Sequence, residues 1–136
     1  MVPADDVLFE GRYFSVRAIR QGSRLPAKDW VDGLERADLA KFMAKVTRVD
    51  RYLESGVPTV ETFGVVGAAT AGLVEFRITP KRGKAPHLRM LGLLYRVGRG
   101  VTYWAALGFK KQKNQLTKRE IEVAEAMAAR WKGEAR

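Results

Sequence analysis

The spacing of apolar residues predicts that the chain opens with a strand followed by two helices. Over residues 12–20, aromatic and β-branched side chains roughly alternate with polar ones, as in a half-buried strand. Pro26 suits the first turn of a helix, and apolar residues follow it at helical intervals. Asp38 has the side chain of an N-cap and precedes a second, longer helical stripe. The apolar residues of this stripe are Leu39, Phe42, Val46, Val49 and Leu53.

Strand alternation replaces helical spacing in the second half of the chain. Apolar and polar residues alternate over 73–79, and the largely apolar stretches 88–96 and 101–108 are joined by a short Gly-Arg-Gly turn. We predict that these three segments form an antiparallel meander, and that the strand at 12–20 joins them in a sheet of about four strands.

The last predicted element is a helix that begins with a capping box. Thr117 and Glu120 have the spacing at which two side chains satisfy free backbone N–H groups at a helix start. An apolar stripe follows, made of Ile121, Ala124, Met127, Ala128 and Trp131. Helices thus precede most of the strands, an order typical of the α+β class. We predict a single α+β domain over 1–136, with two N-terminal helices, an antiparallel sheet and a C-terminal helix.

The composition is that of a globular protein without disulfides. Of the 136 residues, 46% are hydrophobic and 29% are charged, and the absence of cysteine excludes thiolate nucleophiles and Cys-based zinc sites. No stretch approaches the roughly eighteen apolar residues of a membrane helix. The first ten residues are acidic and have no long apolar run, so we expect a cytoplasmic protein without a secretory signal.

Positive charge is concentrated in the second half of the chain. The formal net charge is +10; residues 1–60 contain ten basic and nine acidic side chains, whereas residues 61–136 contain fifteen and six. Twelve Lys and Arg residues, and no carboxylate, lie between Glu75 and Glu120. Such one-sided charge favours a polyanionic partner, with RNA or DNA the obvious one. The alternative is a generally basic, solvated surface.

The side chains of this basic region limit the chemistry that it offers. A metal-dependent nuclease needs carboxylates or histidines at its metal, and the region has one histidine, His87. Cations with aromatic rings between them suit phosphate binding and base stacking. Because RNA carries its own 2′-hydroxyl nucleophile, a cationic site is able to cleave it without metal or cofactor. The candidate RNA-binding residues are Lys81, Arg82, Lys84, Tyr95, Arg96, Tyr103 and Lys113.

Three segments within residues 73–128 form a recurring pattern. They are a Glu-x-Arg strand in "VEFRI", an arginine that heads a central strand in "LRMLGLLY", and a basic segment before a helix in "GFKKQK…TKREIEVAEA". Together they resemble the RelE/HigB superfamily of type II toxin–antitoxin toxins, in its phage-derived, HigB-like branch. The resemblance implies a RelE-like fold, in which helices pack on an antiparallel sheet.

The resemblance also implies an activity, partners and catalytic residues. The activity is ribosome-dependent, metal-independent endoribonuclease cleavage of translated mRNA, and the protein partner is a cognate antitoxin, often with a helix-turn-helix domain. By position, Arg77 and Arg89 would bind and polarise the scissile phosphate. Lys110 or Lys111 would assist proton transfer or stabilise charge, since neighbouring cations lower the pKa of a lysine. We expect Glu75 to orient Arg77 from the same strand face.

Two departures from the branch leave other functions open. Leu107 stands where a histidine commonly precedes Gly-Phe, which removes one candidate acid or base, and Thr117 stands where proline is expected. Catalysis that is weak or lost is compatible with these changes. The alternative to a toxin is a non-catalytic module that binds nucleic acid or a protein partner on the same scaffold. A gyrase-inhibiting toxin like those of the ParE branch is a third, less favoured reading.

Overall fold

The described residues of this computed structural model form six strands and three helices. The described residues are 6–55, 63–65, 73–78, 87–98, 100–111 and 117–134. At positions 63–65, 87, 97, 111 and 134 only the backbone is described. In chain order the elements are β1 (Val7–Glu10), β2 (Phe14–Ala18), α1 (Pro26–Asp32), α2 (Arg36–Ser55), β3 (Phe63–Val65), β4 (Val74–Ile78), β5 (His87–Val97), β6 (Gly100–Lys111) and α3 (Lys118–Glu134). The chain therefore has the predicted α+β class.

The six described strands form one mixed sheet in the order β1-β2-β6-β5-β4-β3. Neighbouring strands are antiparallel except β2 and β6, which run parallel. The predicted antiparallel sheet of about four strands is therefore a mixed sheet of six strands in the described residues. The chain leaves β2 through two helices before it reaches β6, and a long connection of this kind allows parallel pairing. The two strands missed by the prediction, β1 and β3, are edge strands too short to show clear alternation.

Helices cover both faces of the sheet. The α1/α2 face carries a core that includes Phe14, Phe76 and Met90 from the strands and Phe42 from α2. The opposite face, here called the α3 face, packs Leu91 and its neighbours against the predicted apolar stripe of α3. No helix in the described ranges is both long enough and apolar enough to cross a membrane.

The helix starts agree with the sequence in one case and differ in another. At α3 the Thr117 hydroxyl accepts a hydrogen bond from Glu120 N at 3.1 Å, and the Glu120 carboxylate accepts one from Thr117 N at 2.7 Å. This confirms the capping box. In contrast, α2 starts at Arg36, so Asp38 lies within its first turn and is not the N-cap. Asp38 is buried there and pairs with Lys110, a tertiary contact that local spacing does not reveal.

A β-bulge changes the direction of side chains in the second half of β6. Gly92 pairs with Ala105, whereas the preceding residue of β5, Leu91, pairs with Leu107, so Ala106 is an extra residue in β6. Both Ala106 and Leu107 pack on the α3 face. Because side chains alternate along a strand, one extra residue moves every later side chain to the other face.

The bulge also requires glycine at position 92. A Cβ added to Gly92 would lie 2.1 Å from the carbonyl oxygen of Trp104, a backbone atom that has little freedom to move. We expect Gly92→Ala to lower the free energy of unfolding by at least about 2 kcal/mol, measured by urea denaturation. Gly133→Ala is the matched control, since nothing lies within 4 Å of that Cβ in α3 and alanine favours the helix. Equal effects of the two changes would contradict this prediction.

Candidate nucleic-acid interface

Two arginines and one glutamate meet on the α3 face where β4 and β5 pair. Arg77 and Arg89 are directly opposite each other in the register, a placement in which like charges repel. Glu75 lies between them: its Oε1 is 3.2 Å from Arg77 Nε and accepts a hydrogen bond from Arg89 Nη2 at 2.9 Å. Its Oε2 is 2.7 Å from the same Nη2. The contact with Nε places Glu75 beside Arg77 on the same strand face, and the three side chains together carry one net positive charge.

The two arginines differ in their access to solvent. The side chain of Arg89 is 8% exposed and that of Glu75 is 6% exposed, whereas the side chain of Arg77 is 39% exposed. Within the described ranges, the two terminal nitrogens of Arg77 have no hydrogen bond or ion pair to another residue. Arg77 is therefore the member of the cluster that is able to contact a ligand in solution.

Lys110 lies on the other side of the sheet. Its Nζ is 2.7 Å from Asp38 Oδ2 at the start of α2, on the α1/α2 face. The hydrogen bond that Lys110 donates to the Asp38 carboxylate raises the pKa of Lys110, and the charge of nearby Glu35 acts in the same direction. The expectation of a lowered lysine pKa is therefore wrong for Lys110, because its charged neighbours are carboxylates. The structure does not bring Lys110 together with the arginines.

Only the backbone of Lys111 is described, and several candidate RNA-binding residues lie outside the described ranges. Lys111 ends β6, where its backbone pairs with His87 at the start of β5, two residues before Arg89 along the strand. The structure thus places the backbone of Lys111 near the arginine cluster without describing its side chain. The predicted RNA-binding residues outside the described ranges are Lys81, Arg82, Lys84 and Lys113.

Tyr103 cannot stack on a base in this fold, which corrects its prediction as an RNA-binding residue. Its side chain is fully buried in the α1/α2 core. Its hydroxyl lies 2.7 Å from the carbonyl oxygen of Val74 and 3.1 Å from that of Met90, so it links the backbones of β4 and β5. The sequence shows a tyrosine in a basic region, but alternation along β6 turns this ring toward the helices.

Tyr95 and Arg96 are exposed near the hairpin end of β5. The Tyr95 ring packs 6.0 Å from that of Trp131 in α3, with a tilted geometry. Tyr95 lies six residues along β5 from Arg89, which corresponds to about 20 Å. The structure therefore separates these two candidates from the arginine cluster by most of the length of a strand.

An arginine that the sequence analysis did not single out belongs to the hairpin end of the α3 face. The guanidinium of Arg17 lies 5.8 Å from the centre of the Trp104 ring and pairs with Asp6 at 3.1 Å. Trp104 in turn packs 4.8 Å from Trp131. Alternation in the strand predicted at 12–20 places Arg17 among its polar positions, but the parallel pairing with β6 that brings it to Trp104 is not visible in that pattern.

Comparisons with protein-family models, with curated proteins and with solved structures found no match. In the described part of the chain, no three His, Asp or Glu side chains lie close enough to hold a metal ion. The function is therefore inferred from the residues of the site and from the sequence pattern.

The buried ion pair leads to a prediction about stability. We expect Arg89→Met to lower the free energy of unfolding by about 3 kcal/mol, because Glu75 would remain charged and buried with its better partner removed. Combining Arg89→Met with Glu75→Gln should recover most of this loss, since both buried charges are then absent. Urea denaturation of the two variants tests the difference. Lys28→Ala removes an exposed pair with Asp32 and should cost less than about 0.5 kcal/mol; a similar value for Arg89→Met would contradict the prediction.

Tyr103 leads to a prediction about alkaline pH. Burial, and secondly the negative charge of Glu75, raise the pKa of Tyr103 well above its ordinary value of 10.0. The unfolded chain therefore loses this proton near pH 10 while the folded protein keeps it, so stability falls as pH rises above about 10. We expect a smaller fall in Tyr103→Phe, with a loss of about 1 kcal/mol at pH 7 from the missing hydrogen bond. Urea titrations at pH 7 to 11 test this, with Tyr95→Phe as the exposed control; equal slopes for wild type and Tyr103→Phe would refute it.

Proposed function

We propose that this protein is a toxin of the RelE/HigB type that cleaves translated mRNA at the ribosome without a metal ion and so inhibits translation. The observation that carries the proposal is the partly exposed side chain of Arg77 on the α3 face, whose Nε pairs with Glu75 and whose terminal nitrogens have no other partner among the described residues. A guanidinium presented in this way offers paired N–H donors to two oxygens of one phosphate. The excess of fifteen basic over six acidic residues in 61–136 supplies attraction to a polyanion.

The proposed reaction uses the nucleophile that RNA itself carries. The 2′-hydroxyl oxygen attacks the adjacent phosphorus, the bond from phosphorus to the 5′-oxygen breaks, and the proton passes from the 2′-oxygen to the departing 5′-oxygen. The products are a 2′,3′-cyclic phosphate and a 5′-hydroxyl, so no water or redox partner is consumed. Arg77 stabilises the charge on the non-bridging oxygens, but arginine is too weak an acid to move the proton. We assign proton movement to Lys111, since Lys110 faces Asp38.

The order of the elements supports placing the chain beside this superfamily. Two helices follow the N-terminal strands, the strands β4, β5 and β6 form an antiparallel meander, and α3 closes the described chain. The resemblance of the "VEFRI", "LRMLGLLY" and "GFKKQK…TKREIEVAEA" segments then assigns the basic residues of this meander to RNA. On this proposal the protein acts in the cytoplasm, where translated mRNA is found.

The proposed protein partner is a cognate antitoxin with an acidic segment, linked to a helix-turn-helix domain. A free toxin would halt growth, and the uneven charge of the chain suits an acidic segment that covers its basic surface. Electrostatic complementarity of this kind mainly increases the association rate and the specificity. Native purification should return the protein with an acidic companion.

Replacing Arg77 tests the proposed activity. We expect Arg77→Ala to reduce cleavage of a defined mRNA by about 10²–10³-fold, because it removes one preorganised charge contact to the phosphate. The measurement is primer extension on mRNA in a purified translation reaction. Arg48→Ala is the matched control: it removes the same charge from an exposed position of α2, the helix on the other side of the sheet, and should leave cleavage unchanged.

Primer extension on wild-type protein, together with a measurement of RNA binding at several salt concentrations, separates the toxin from the non-catalytic binding module. The burial of Arg89 and the orientation of Lys110 favour the binding module, because they leave Arg77 as the described cation able to meet RNA at the cluster. Wild-type protein that leaves mRNA intact, yet binds RNA with strong salt dependence, would establish this second function. Affinity that is flat between low and physiological salt would contradict both functions.

A further inference from the structure

We propose that Arg89 is a positioning residue, which acts on a bound phosphodiester through Glu75 and Arg77 without touching it. The sequence resemblance assigns Arg89 to the scissile phosphate, whereas the geometry of its ion pair with Glu75 points to a different role for the same residue. The inference rests on the proposed function in one respect, namely that the ligand of Arg77 is a phosphodiester of single-stranded RNA.

Arg89 already forms a buried ion pair with Glu75. Its Nη2 lies 2.9 Å from Oε1 and 2.7 Å from Oε2 of that carboxylate, and its side chain is only 8% exposed. To reach a phosphate on the surface, Arg89 would have to leave Glu75, whose side chain is 6% exposed. A buried carboxylate deprived of its main partner is strongly unfavourable. Direct contact between Arg89 and RNA is therefore disfavoured in this fold.

Glu75 connects Arg89 to Arg77, so that the position of Arg89 affects that of Arg77. A single oxygen, Glu75 Oε1, accepts the hydrogen bond from Arg89 and also lies 3.2 Å from Arg77 Nε. Contact at Nε restrains the plane of the Arg77 guanidinium and leaves its terminal nitrogens for two phosphate oxygens. An arginine restrained before binding loses less side-chain freedom when RNA arrives.

Arg89 lies at the more rigid end of these connected side chains, Arg89, Glu75 and Arg77, here called the relay. It lies in β5, which is paired on both sides, by β4 and by β6. Arg77 lies in β4, next to the short edge strand β3. Arg89, buried in the inner strand, thus holds the Glu75 carboxylate in place. Glu75 in turn holds Arg77, which is partly exposed and lies nearer the edge of the sheet.

A double-mutant cycle separates this relay from direct contact. The probe is a 2′-O-methyl oligoribonucleotide, which cannot be cleaved, and binding is measured by fluorescence anisotropy at a temperature where every variant is folded. Arg89→Lys keeps the charge but replaces the planar guanidinium, whose Nη2 contacts both carboxylate oxygens, by a compact ammonium on a flexible stem. We expect it to weaken binding about tenfold in the wild-type background and less than twofold when Arg77→Ala is already present, because its effect passes through Arg77.

The other outcomes of the cycle overturn the inference. The same fold-loss in both backgrounds means that Arg89 contacts the phosphate independently of Arg77. An unchanged affinity in both backgrounds means that the ion pair stabilises the fold and does nothing for the ligand. Where Arg89→Lys fails to fold, the pair Arg89→Met with Glu75→Gln replaces it in the cycle, with the same expected results.

Hydrogen exchange in the free protein tests the relay without RNA. NMR resolves the Nε–H signals of arginine side chains, and we expect exchange at Arg77 Nε to accelerate several-fold in Arg89→Lys. Arg17 is the internal control, since its pairing with Asp6 lies elsewhere on the sheet and should not change. Unchanged exchange at Arg77 would overturn the relay. Because neither measurement uses cleavage, wild-type protein that cleaves no mRNA would sink the proposed activity while leaving the relay to stand or fall on these results.

Discussion

The buried carboxylate of Glu75 makes the pairing of β4 with β5 compatible with the charges that these strands carry. The register sets Arg77 directly opposite Arg89, an arrangement that would push the two strands apart without a counter-charge. Glu75 contacts both guanidinium groups and leaves one net positive charge on the α3 face. Register, burial and surface charge at this point of the sheet therefore depend on a single side chain. On the other side of the sheet, the Tyr103 hydroxyl links the same two strands through their carbonyl oxygens.

Local patterns predicted much of the fold because they reflect local causes. The capping box at Thr117 and Glu120 needs only residues three apart, and the structure has it. The strands β2, β4, β5 and β6 follow from alternation and turn residues in the same way. The start of α2 could not be read so directly, because Asp38 has the side chain of a cap but serves instead as the partner of Lys110 from a distant strand. Parallel pairing of β2 with β6 likewise depends on the path of the chain between them.

The candidate site was predicted less well, and the β-bulge opposite Gly92 is the main physical reason. In a regular β6, alternation would place position 110 on the same face as Trp104, which is the α3 face and the face of Arg89. The extra residue, Ala106, turns Lys110 to the α1/α2 face. A bulge of this kind has a weak sequence signal, a glycine within an apolar strand, and glycine also occurs there for other reasons. Lys110 and Arg89, which the sequence pattern assigned to one site, therefore lie on opposite faces of the sheet.

The separation of the cations limits how the arginine cluster is able to act. A site that binds RNA needs an exposed cation, and Arg77 meets this requirement with Glu75 holding it in place. A site that cleaves RNA also needs a group that exchanges a proton near neutral pH, and an arginine paired to a carboxylate does not provide one. Lys110 is no better suited, since the hydrogen bond to Asp38 raises its pKa. The difference between a binding module and a nuclease therefore rests on the end of β6, where the backbone of Lys111 pairs with His87, two residues before Arg89 in β5.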